Sequence, residues 1–324
     1  MTKKVDIFVA GNSKSGTTAL CGYLGRHPDL ALSRPKEPNF FASDLCHANP
    51  EGAFRQMTEA EYAACFPVGA RLLADGSACY LYSKVAATAI ARHNPDARII
   101  VVFREPVDFL VSYHLQMLRN PASEGEVISD FAEALAAEPE RRAGARIPQG
   151  CRVPQLLFYR ERIKYAEHLQ RFLDVFPKEQ VRVYLYDDFR NDNHGVVADA
   201  FRFLELEPPA ALKREEVNAA VRIKSPRLFR ALQDLAHGRK YFAPLKRAGK
   251  AILPEVMRRA AMQSAQRALG SAEKGTVPDE LRRRLKAEFR EEVEAFGDLT
   301  GRDVAALWGY TPASVRASER ATTS

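Results

Sequence analysis

The sequence is poor in the residues that build metal sites and disulfide frameworks. Its 324 residues include five cysteines with no C-x-x-C pair and seven histidines with no H-E-x-x-H pattern. These spacings argue against a disulfide scaffold and against the common zinc motifs. No apolar run approaches the roughly 20 residues that a helix needs to cross a bilayer. The apolar stretch at residues 7–10 is too short for a signal-peptide core, so we expect a cytoplasmic protein without a metal.

The charge of the chain is positive and unevenly distributed. The formal net charge is +7. Residues 224–269 hold eleven Lys/Arg and two acidic residues, which gives +9 there and −2 for the remainder. Such a segment favours either a solvated helical surface or contact with an anionic membrane or acidic polymer. We do not expect nucleic acid as a partner, and the pattern leaves the oligomeric state open.

Short apolar runs alternate with helical patterns in the first two thirds of the chain. Predicted strands cover residues 5–10, 71–74, 98–103 and 181–185, and predicted helices cover 17–26, 83–93, 107–119, 160–176 and 196–204. This alternation predicts an α/β, P-loop-like three-layer fold with a central parallel sheet. After residue 185 no strand is evident, and helical patterns cover 228–236, 255–269 and 279–296. We expect one domain over 1–310, a basic helical insertion at about 224–275, and a disordered tail at 311–324.

A phosphate-binding loop is the strongest local motif. The eight residues 11–18, GNSKSGTT, join the first predicted strand to the first predicted helix. A helix N-terminus presents unpaired N–H groups to an anion, and glycines let the backbone approach it closely. In G-x-x-x-x-G-K-[ST], lysine follows the second glycine; here Thr17 stands there and Lys14 lies three residues earlier. A plain Gly/Ser-rich turn is the alternative interpretation.

A second anion site is predicted at the end of strand 98–103. Arg104 follows this strand, at the sheet edge where open α/β sheets bind ligands, and Ser112 lies about two turns into the next helix. An arginine and a serine suit one phosphate, although Arg104 paired with an acidic neighbour and Ser112 as a packing residue would also explain them. Two anion sites after two strands fit a nucleoside with phosphates at both ends, such as adenosine 3′,5′-bisphosphate (PAP).

These motifs resemble the superfamily of sulfotransferases that use 3′-phosphoadenosine-5′-phosphosulfate (PAPS). Residues 14–18 resemble its 5′-phosphosulfate loop, and Arg104-Glu105-Pro106 with Ser112 resembles its 3′-phosphate motif. Residues 218–227 are similar to its nucleotide-covering loop. The resemblance implies a set of nucleotide-binding residues: Lys14, Ser15, Gly16, Thr17, Thr18, Arg104, Ser112, Arg222 and Lys224.

The segment KEPNFF at 36–41 is similar to a signature of the heparan-sulfate and bacterial branch, in which the glutamate is the catalytic base. That role maps to Glu37; a solvated loop carboxylate is the alternative. His114 is a rival base, although we expect it on a helix surface. Some glycan-modifying members carry a Glu-Lys pair where this sequence has Asp75-Gly76, so a second catalytic lysine is absent there. This departure weakens an assignment to heparan-type acceptors.

The resemblance implies in-line transfer of the sulfuryl group from PAPS to an acceptor hydroxyl or amine, with Lys14 stabilising the leaving phosphate and Glu37 taking the proton. No metal is needed, although Asp75 after its strand could suggest a magnesium ligand. The acceptor, whether glycan, lipid, peptide tyrosine or small molecule, is left open. The alternatives are a P-loop kinase or NTPase and a non-catalytic nucleotide-binding module.

Overall fold

The structure is a computed structural model that describes residues 4–48, 54–120, 125–209, 222–223, 270–271 and 277–310. Five parallel strands form its central sheet in the order β2-β3-β1-β4-β5. They are β1 Ile7–Gly11, β2 Leu30–Leu32, β3 Leu72–Asp75, β4 Arg98–Phe103 and β5 Val181–Leu185. All the pairings are parallel, so the carboxyl ends of the five strands share one edge. The predicted α/β fold is confirmed.

Twelve α-helices are present in the described ranges. They are α1 Thr17–Leu24, α2 Glu59–Ala63, α3 Ala86–His93, α4 Pro106–Met117, α5 Phe131–Ala136, α6 Glu138–Arg142, α7 Tyr165–Leu173, α8 Tyr186–Asn191, α9 Asn193–Phe203, α10 Asp279–Glu288, α11 Arg290–Thr300 and α12 Val304–Trp308. The described residues group into two compact units, which divide at Phe109, Arg160 and Pro278. The sheet belongs to the first unit.

Alternation of side chains along the strands divides the core of the first unit into two layers. Ile7 and Val9 of β1 face one side, in a cluster with residues of α1, α8 and α9. Phe8 faces the other side, where its ring meets that of Phe41 at 5.6 Å. On this second side the ring centroids of Phe103 of β4 and Phe296 of α11 lie 4.5 Å apart. Every residue of β1 is buried, as expected for a strand covered on both faces.

The second unit includes residues 110–120 and 125–159, and a buried ion pair organises it. Arg141 of α6 makes a bidentate contact with Glu126, at 2.6 and 2.7 Å, and neither side chain is exposed to solvent. Tyr159 donates a third hydrogen bond to the same carboxylate. The paired charges and hydrogen bonds offset the cost of burying this carboxylate. The unit also contains the antiparallel strands β6 Arg222–Ile223 and β7 Gly270–Ser271.

The structure corrects several predicted elements. The sequence pattern missed β2, the two-residue strands β6 and β7, and five short helices, which are α2, α5, α6, α8 and α12. The helix predicted over 160–176 begins as a 3-10 turn, Arg160–Ile163, before α7. The helix predicted over 279–296 is broken at Phe289, where α10 ends and α11 begins, yet Phe289 stays buried with its apolar stripe. The helices predicted at 228–236 and 255–269, most of the insertion and the tail at 311–324 lie outside the described residues.

Candidate active site

The phosphate loop connects β1 to α1 and depends on two glycines. Gly11 has a φ of +151°, and a Cβ atom there would lie 2.4 Å from the carbonyl oxygen of Val102 on β4. Gly16 has a φ of +90° and precedes the first turn of α1. Only glycine adopts such conformations without strain. The strand, the loop and the helix therefore lie in the predicted order, and the N-terminus of α1 opens at the loop.

Arg104 and Lys14, the two predicted anion-binding residues of neighbouring strands, are in direct contact. Arg104 donates from Nη1 to the carbonyl oxygen of Lys14 at 3.0 Å. The N–H of Arg104 donates to Oδ1 of Asn12 at 3.3 Å. Both contacts follow from the register of β1 and β4, in which Gly11 lies opposite Val102. The two cationic side chains thus originate at the same edge of the sheet.

Two serines predicted to bind phosphate have buried hydroxyl groups without a partner. Ser15 is fully buried and Ser112 is 4% exposed, and neither Oγ forms a hydrogen bond within the described part of the chain. A buried hydroxyl left unpaired costs about 1–3 kcal/mol, so an arriving acceptor oxygen would relieve that cost. This property fits the phosphate oxygens of a nucleotide. Ser112 belongs to the second unit. Thr17 is buried and Thr18 is exposed.

Tyr186 is a residue of this edge that the sequence analysis did not identify. It directly follows β5 and begins α8, and the guanidinium of Arg104 lies 4.8 Å from the centroid of its ring. The ring also lies 3.6 Å from the point where a Cβ atom of Gly16 would stand. The signal that could have identified it is its position after a predicted parallel strand, because that edge binds ligands.

Tyr165 fixes the backbone of Arg104 from the opposite layer. Its hydroxyl donates to the carbonyl oxygen of Arg104 at 2.8 Å. Burial, more than any neighbouring charge, raises the pKa of the Tyr165 phenol well above its ordinary value. The hydroxyl therefore stays protonated and keeps its role as a donor.

Glu37, the predicted base, lies in a loop with an unusual backbone. Glu37 has a φ of +64° and Asn39 a φ of +59°, a region that non-glycine residues enter at a cost. The Glu37 side chain is 43% exposed, and its Oε1 accepts a hydrogen bond from the ammonium of Lys36 at 2.5 Å. The ion pair is accessible from solvent.

Cys21 lies in α1, the helix that begins at the phosphate loop. Burial raises the pKa of the Cys21 thiol to about 11; Lys36 lowers this pKa, and Glu37 and Asp75 raise it. Cys21 lies four residues after Thr17, so the two side chains share a face of α1 about one turn apart. The thiol therefore stays protonated near neutral pH.

Gly76 stands where some glycan-modifying sulfotransferases carry a lysine, and its surroundings are closely packed. A Cβ atom on Gly76 would approach Sγ of Cys21 to 2.8 Å and Cε of Lys36 to 3.5 Å, so a larger residue would require these side chains to shift. The Lys36 side chain thus packs against this position and brings a cation to it.

His114 is buried, which corrects the expectation of a helix-surface residue. Its Nδ1 lies 3.1 Å from the hydroxyl of Tyr159 and its Nε2 lies 3.2 Å from the carbonyl oxygen of Ser129. Burial lowers the pKa of His114 below its ordinary value. Both ring nitrogens are engaged within the second unit, so His114 has a structural role there and is a poor candidate for the base.

Two of the predicted nucleotide-binding residues lie at or beyond the limits of the described ranges. Arg222 lies in β6, of which only the backbone is described, and Lys224 lies outside the described residues. No group of three or more His, Cys, Asp or Glu residues suited to a metal occurs in the described ranges. A search of the same ranges found no helix with the length and apolar character to span a membrane.

Comparison with known proteins identifies the family. Residues 4–225, more than half of the chain, match the family model described as Sulfotransferase domain. The human bifunctional heparan sulfate N-deacetylase/N-sulfotransferase 3 is 28% identical over 210 residues, which are 62% of this chain and 22% of that protein. The mouse bifunctional heparan sulfate N-deacetylase/N-sulfotransferase 1 is 29% identical over 182 residues, 55% of this chain and 19% of that protein. The chain thus corresponds to a minor part of these relatives.

A solved structure matches nearly the whole chain. The crystal structure of a sulfotransferase from Alicyclobacillus acidocaldarius has a TM-score of 0.65 and 25% identity, and the match covers 94% of this chain and 99% of that one. The family model and this fold agree with the motifs at the carboxyl edge of the sheet. The chain belongs to the superfamily of PAPS-dependent sulfotransferases.

Proposed function

We propose that this protein transfers the sulfuryl group of PAPS to a hydroxyl or amine of an acceptor, with Lys14 and Glu37 in the catalytic roles. The observation that carries the proposal is the contact between Arg104 and the phosphate loop at the shared edge of β1 and β4. The unpaired hydroxyl of Ser15 supports the same assignment. PAPS has phosphate groups at two ends of one nucleoside, and the loop and Arg104 offer donors at two neighbouring strand ends.

In this proposal the chemical step is an in-line displacement. The acceptor oxygen or nitrogen forms a bond to sulfur while the bond between sulfur and the bridging 5′-phosphate oxygen breaks. Glu37 takes the acceptor proton, and PAP leaves with the electron pair of the broken bond. Lys14 and the N-terminus of α1 stabilise the charge that develops on the leaving phosphate. The protein contributes alignment and electrostatics, as in phosphoryl transfer.

The donor nucleotide is tested by thermal unfolding. We expect PAP to raise the melting temperature, because a ligand that binds only the folded state stabilises it. ATP with magnesium should raise it much less, since the loop lacks the lysine after its second glycine. Protection by ATP with magnesium and none by PAP would favour the kinase or NTPase alternative.

The transfer itself is tested with radiolabelled PAPS and a panel of glycan, lipid, tyrosyl-peptide and small-molecule acceptors. Label should move to one acceptor class in the wild type. The relatives named for heparan sulfate support including glycan amines in the panel, whereas Gly76 weighs against a heparan-type acceptor. If PAP binds and no acceptor class is labelled, the binding-module alternative gains support.

The charge of residues 224–269 supports a further part of the proposal, contact with an acidic acceptor or an anionic surface. Eleven basic and two acidic residues give this segment +9. Such attraction falls steeply as salt screens it. Co-sedimentation with anionic vesicles at low and high salt tests it, with neutral vesicles as the control.

A further inference from the structure

Asp75, a carboxylate at the end of β3, is the centre of a buried hydrogen-bond network. Asp75 is fully buried. Its Oδ2 accepts from the hydroxyls of Tyr80 at 2.7 Å and Tyr62 at 2.9 Å. Its Oδ1 accepts from the Oγ of Ser77 at 2.6 Å and from the N–H of Ser77 at 3.0 Å. Four donors thus converge on one carboxylate, which makes its burial tolerable.

Two of these hydroxyl groups connect the network to the loop that carries Glu37. The Oγ of Ser77 accepts the backbone N–H of Asn39 at 3.0 Å. The hydroxyl of Tyr80 accepts the backbone N–H of Phe41 at 3.4 Å. Each hydroxyl donates its only proton to Asp75 and uses a lone pair to accept the loop N–H. The carboxylate therefore fixes the direction of both hydrogen bonds of each hydroxyl.

The loop needs such support because its own backbone is strained. Glu37 and Asn39 both have positive φ angles, which the surrounding structure must enforce. The side chain of Asn39 is held as well, since its Oδ1 accepts from the Sγ of Cys79 at 3.0 Å. Burial first, and the charge of Asp75 second, raise the pKa of Tyr80 well above its ordinary value, which keeps its hydroxyl a donor to Asp75.

Tyr62 provides an internal comparison. It donates to the same oxygen of Asp75 as Tyr80 does. Its hydroxyl makes no relay to the loop backbone; its ring stacks on Phe40 with centroids 4.4 Å apart. Replacement by phenylalanine would therefore remove one hydrogen bond to Asp75 and keep the ring contact.

We propose that Asp75, acting through Ser77 and Tyr80, is a positioning residue that holds the Glu37 loop in the conformation needed for proton transfer. The proposal rests on the assignment of Glu37 as the base. A catalytic base that is displaced from hydrogen-bond distance of the acceptor proton loses much of its contribution to the rate. The two hydroxyl groups bond to the backbone of the Glu37 loop, so the effect of the network should fall on turnover and spare the binding of PAPS.

The experiment compares Ser77→Ala and Tyr80→Phe with the control Tyr62→Phe. All three remove one hydroxyl donor to Asp75, so each should lower the melting temperature by a similar few degrees. Ser77→Ala and Tyr80→Phe should also lower kcat by about tenfold with an unchanged KM for PAPS. Tyr62→Phe should keep the wild-type kcat. A general loss of stability would reduce the three rates alike.

Amide hydrogen exchange gives a readout that needs no activity. Exchange at Asn39 should accelerate in Ser77→Ala, exchange at Phe41 should accelerate in Tyr80→Phe, and both should stay protected in Tyr62→Phe. The inference is overturned if Tyr62→Phe loses as much turnover as Ser77→Ala, or if Ser77→Ala changes neither exchange nor kcat. A failure of the proposed function gives a different result. In that case the wild-type protein transfers no label from PAPS to any acceptor, and Glu37→Gln has no effect on any measurement made with PAPS.

Discussion

The phosphate loop at 11–18 and the loop at 36–41 that holds Glu37, the proposed base, lie at the same edge of the sheet and differ in how they are held. The phosphate loop has a strand directly before it, a helix directly after it and glycines at 11 and 16, and Arg104 after β4 adds hydrogen bonds to Asn12 and Lys14. The loop at 36–41 is fixed from β3 and the turn after it, through Ser77 and Tyr80. The comparison teaches that the loop at 11–18 is recognisable from its own flanking strand, helix and glycines, whereas the conformation of the loop that holds Glu37 depends on residues distant in the sequence.

The largest expected effect is on the base side. Glu37→Gln keeps the shape of the side chain and removes its basicity, so kcat should fall by about 10²–10⁴-fold. Affinity for PAP, measured by calorimetry, should not change. Glu179→Gln is the matched control, because Glu179 precedes β5 at the other end of the strands. Full turnover in Glu37→Gln with the natural acceptor would show that another group takes the proton.

The next effect is on the phosphate side. Lys14→Ala removes the cation at the leaving phosphate, and we expect a loss of about 10²–10³-fold in kcat. The fold should persist, since the contact of Lys14 with Arg104 uses the backbone carbonyl. Circular dichroism checks the fold, and Lys178→Ala, at an exposed lysine before β5, serves as the control. A Lys14→Ala enzyme with wild-type kcat contradicts the assigned role.

The third prediction tests whether the phosphate loop needs a glycine at 11 because of its close approach to β4. Gly11→Ala should cost about 1–3 kcal/mol in urea denaturation, because its Cβ collides with the backbone of Val102 and overpacking is poorly tolerated. Gly69→Ala is the matched control: Gly69 also has a positive φ, +91°, yet has open space around its Cβ position. Equal losses in both variants would mean that conformation alone, and not the approach to β4, requires Gly11.

The smallest expected effect concerns an ion pair that holds α8, the helix that begins at Tyr186. Arg302, just after α11, pairs with Asp188 of α8, at 2.9 Å for one of its two contacts. The Arg302 hydrogen bond lowers the pKa of Asp188. A lowered carboxyl pKa contributes stability above the ordinary value near 4 and loses it as the pH falls through the folded-state value.

Arg302→Ala should therefore lower the free energy of unfolding by about 1 kcal/mol at pH 7, because the pair is partly exposed. The difference from wild type should shrink as the pH falls through the lowered pKa of Asp188. Arg190→Ala removes a longer and more exposed contact, to Asp187 at 3.5 Å, and should cost less. A difference that is independent of pH would show that Arg302 acts by packing instead.

The sequence predicted the strands at 98–103 and 181–185 with their observed limits. For 98–103 the reason is its continuous β-branched run, which is typical of buried parallel strands. It missed α5 and α6, since helices of six and five residues are too short to show a clear periodic pattern. It placed His114 on a helix surface because a lone histidine carries no signal of the Tyr159 and Ser129 that enclose it. The resemblance to the family identified the loop at 36–41. The sequence did not reveal that Ser77 and Tyr80 hold the backbone of this loop.

The sequence by itself determined the parallel α/β fold, the phosphate loop and Arg104 at the end of β4, because each depends on residues close together in the chain. Only the tertiary structure decided that Arg104 contacts the Lys14 backbone, that Tyr186 lies under Arg104, and that Asp75 supports the loop of Glu37. The physical reason is the strand order β2-β3-β1-β4-β5. It brings together the ends of strands that are far apart in sequence, and no local pattern encodes which strands become neighbours.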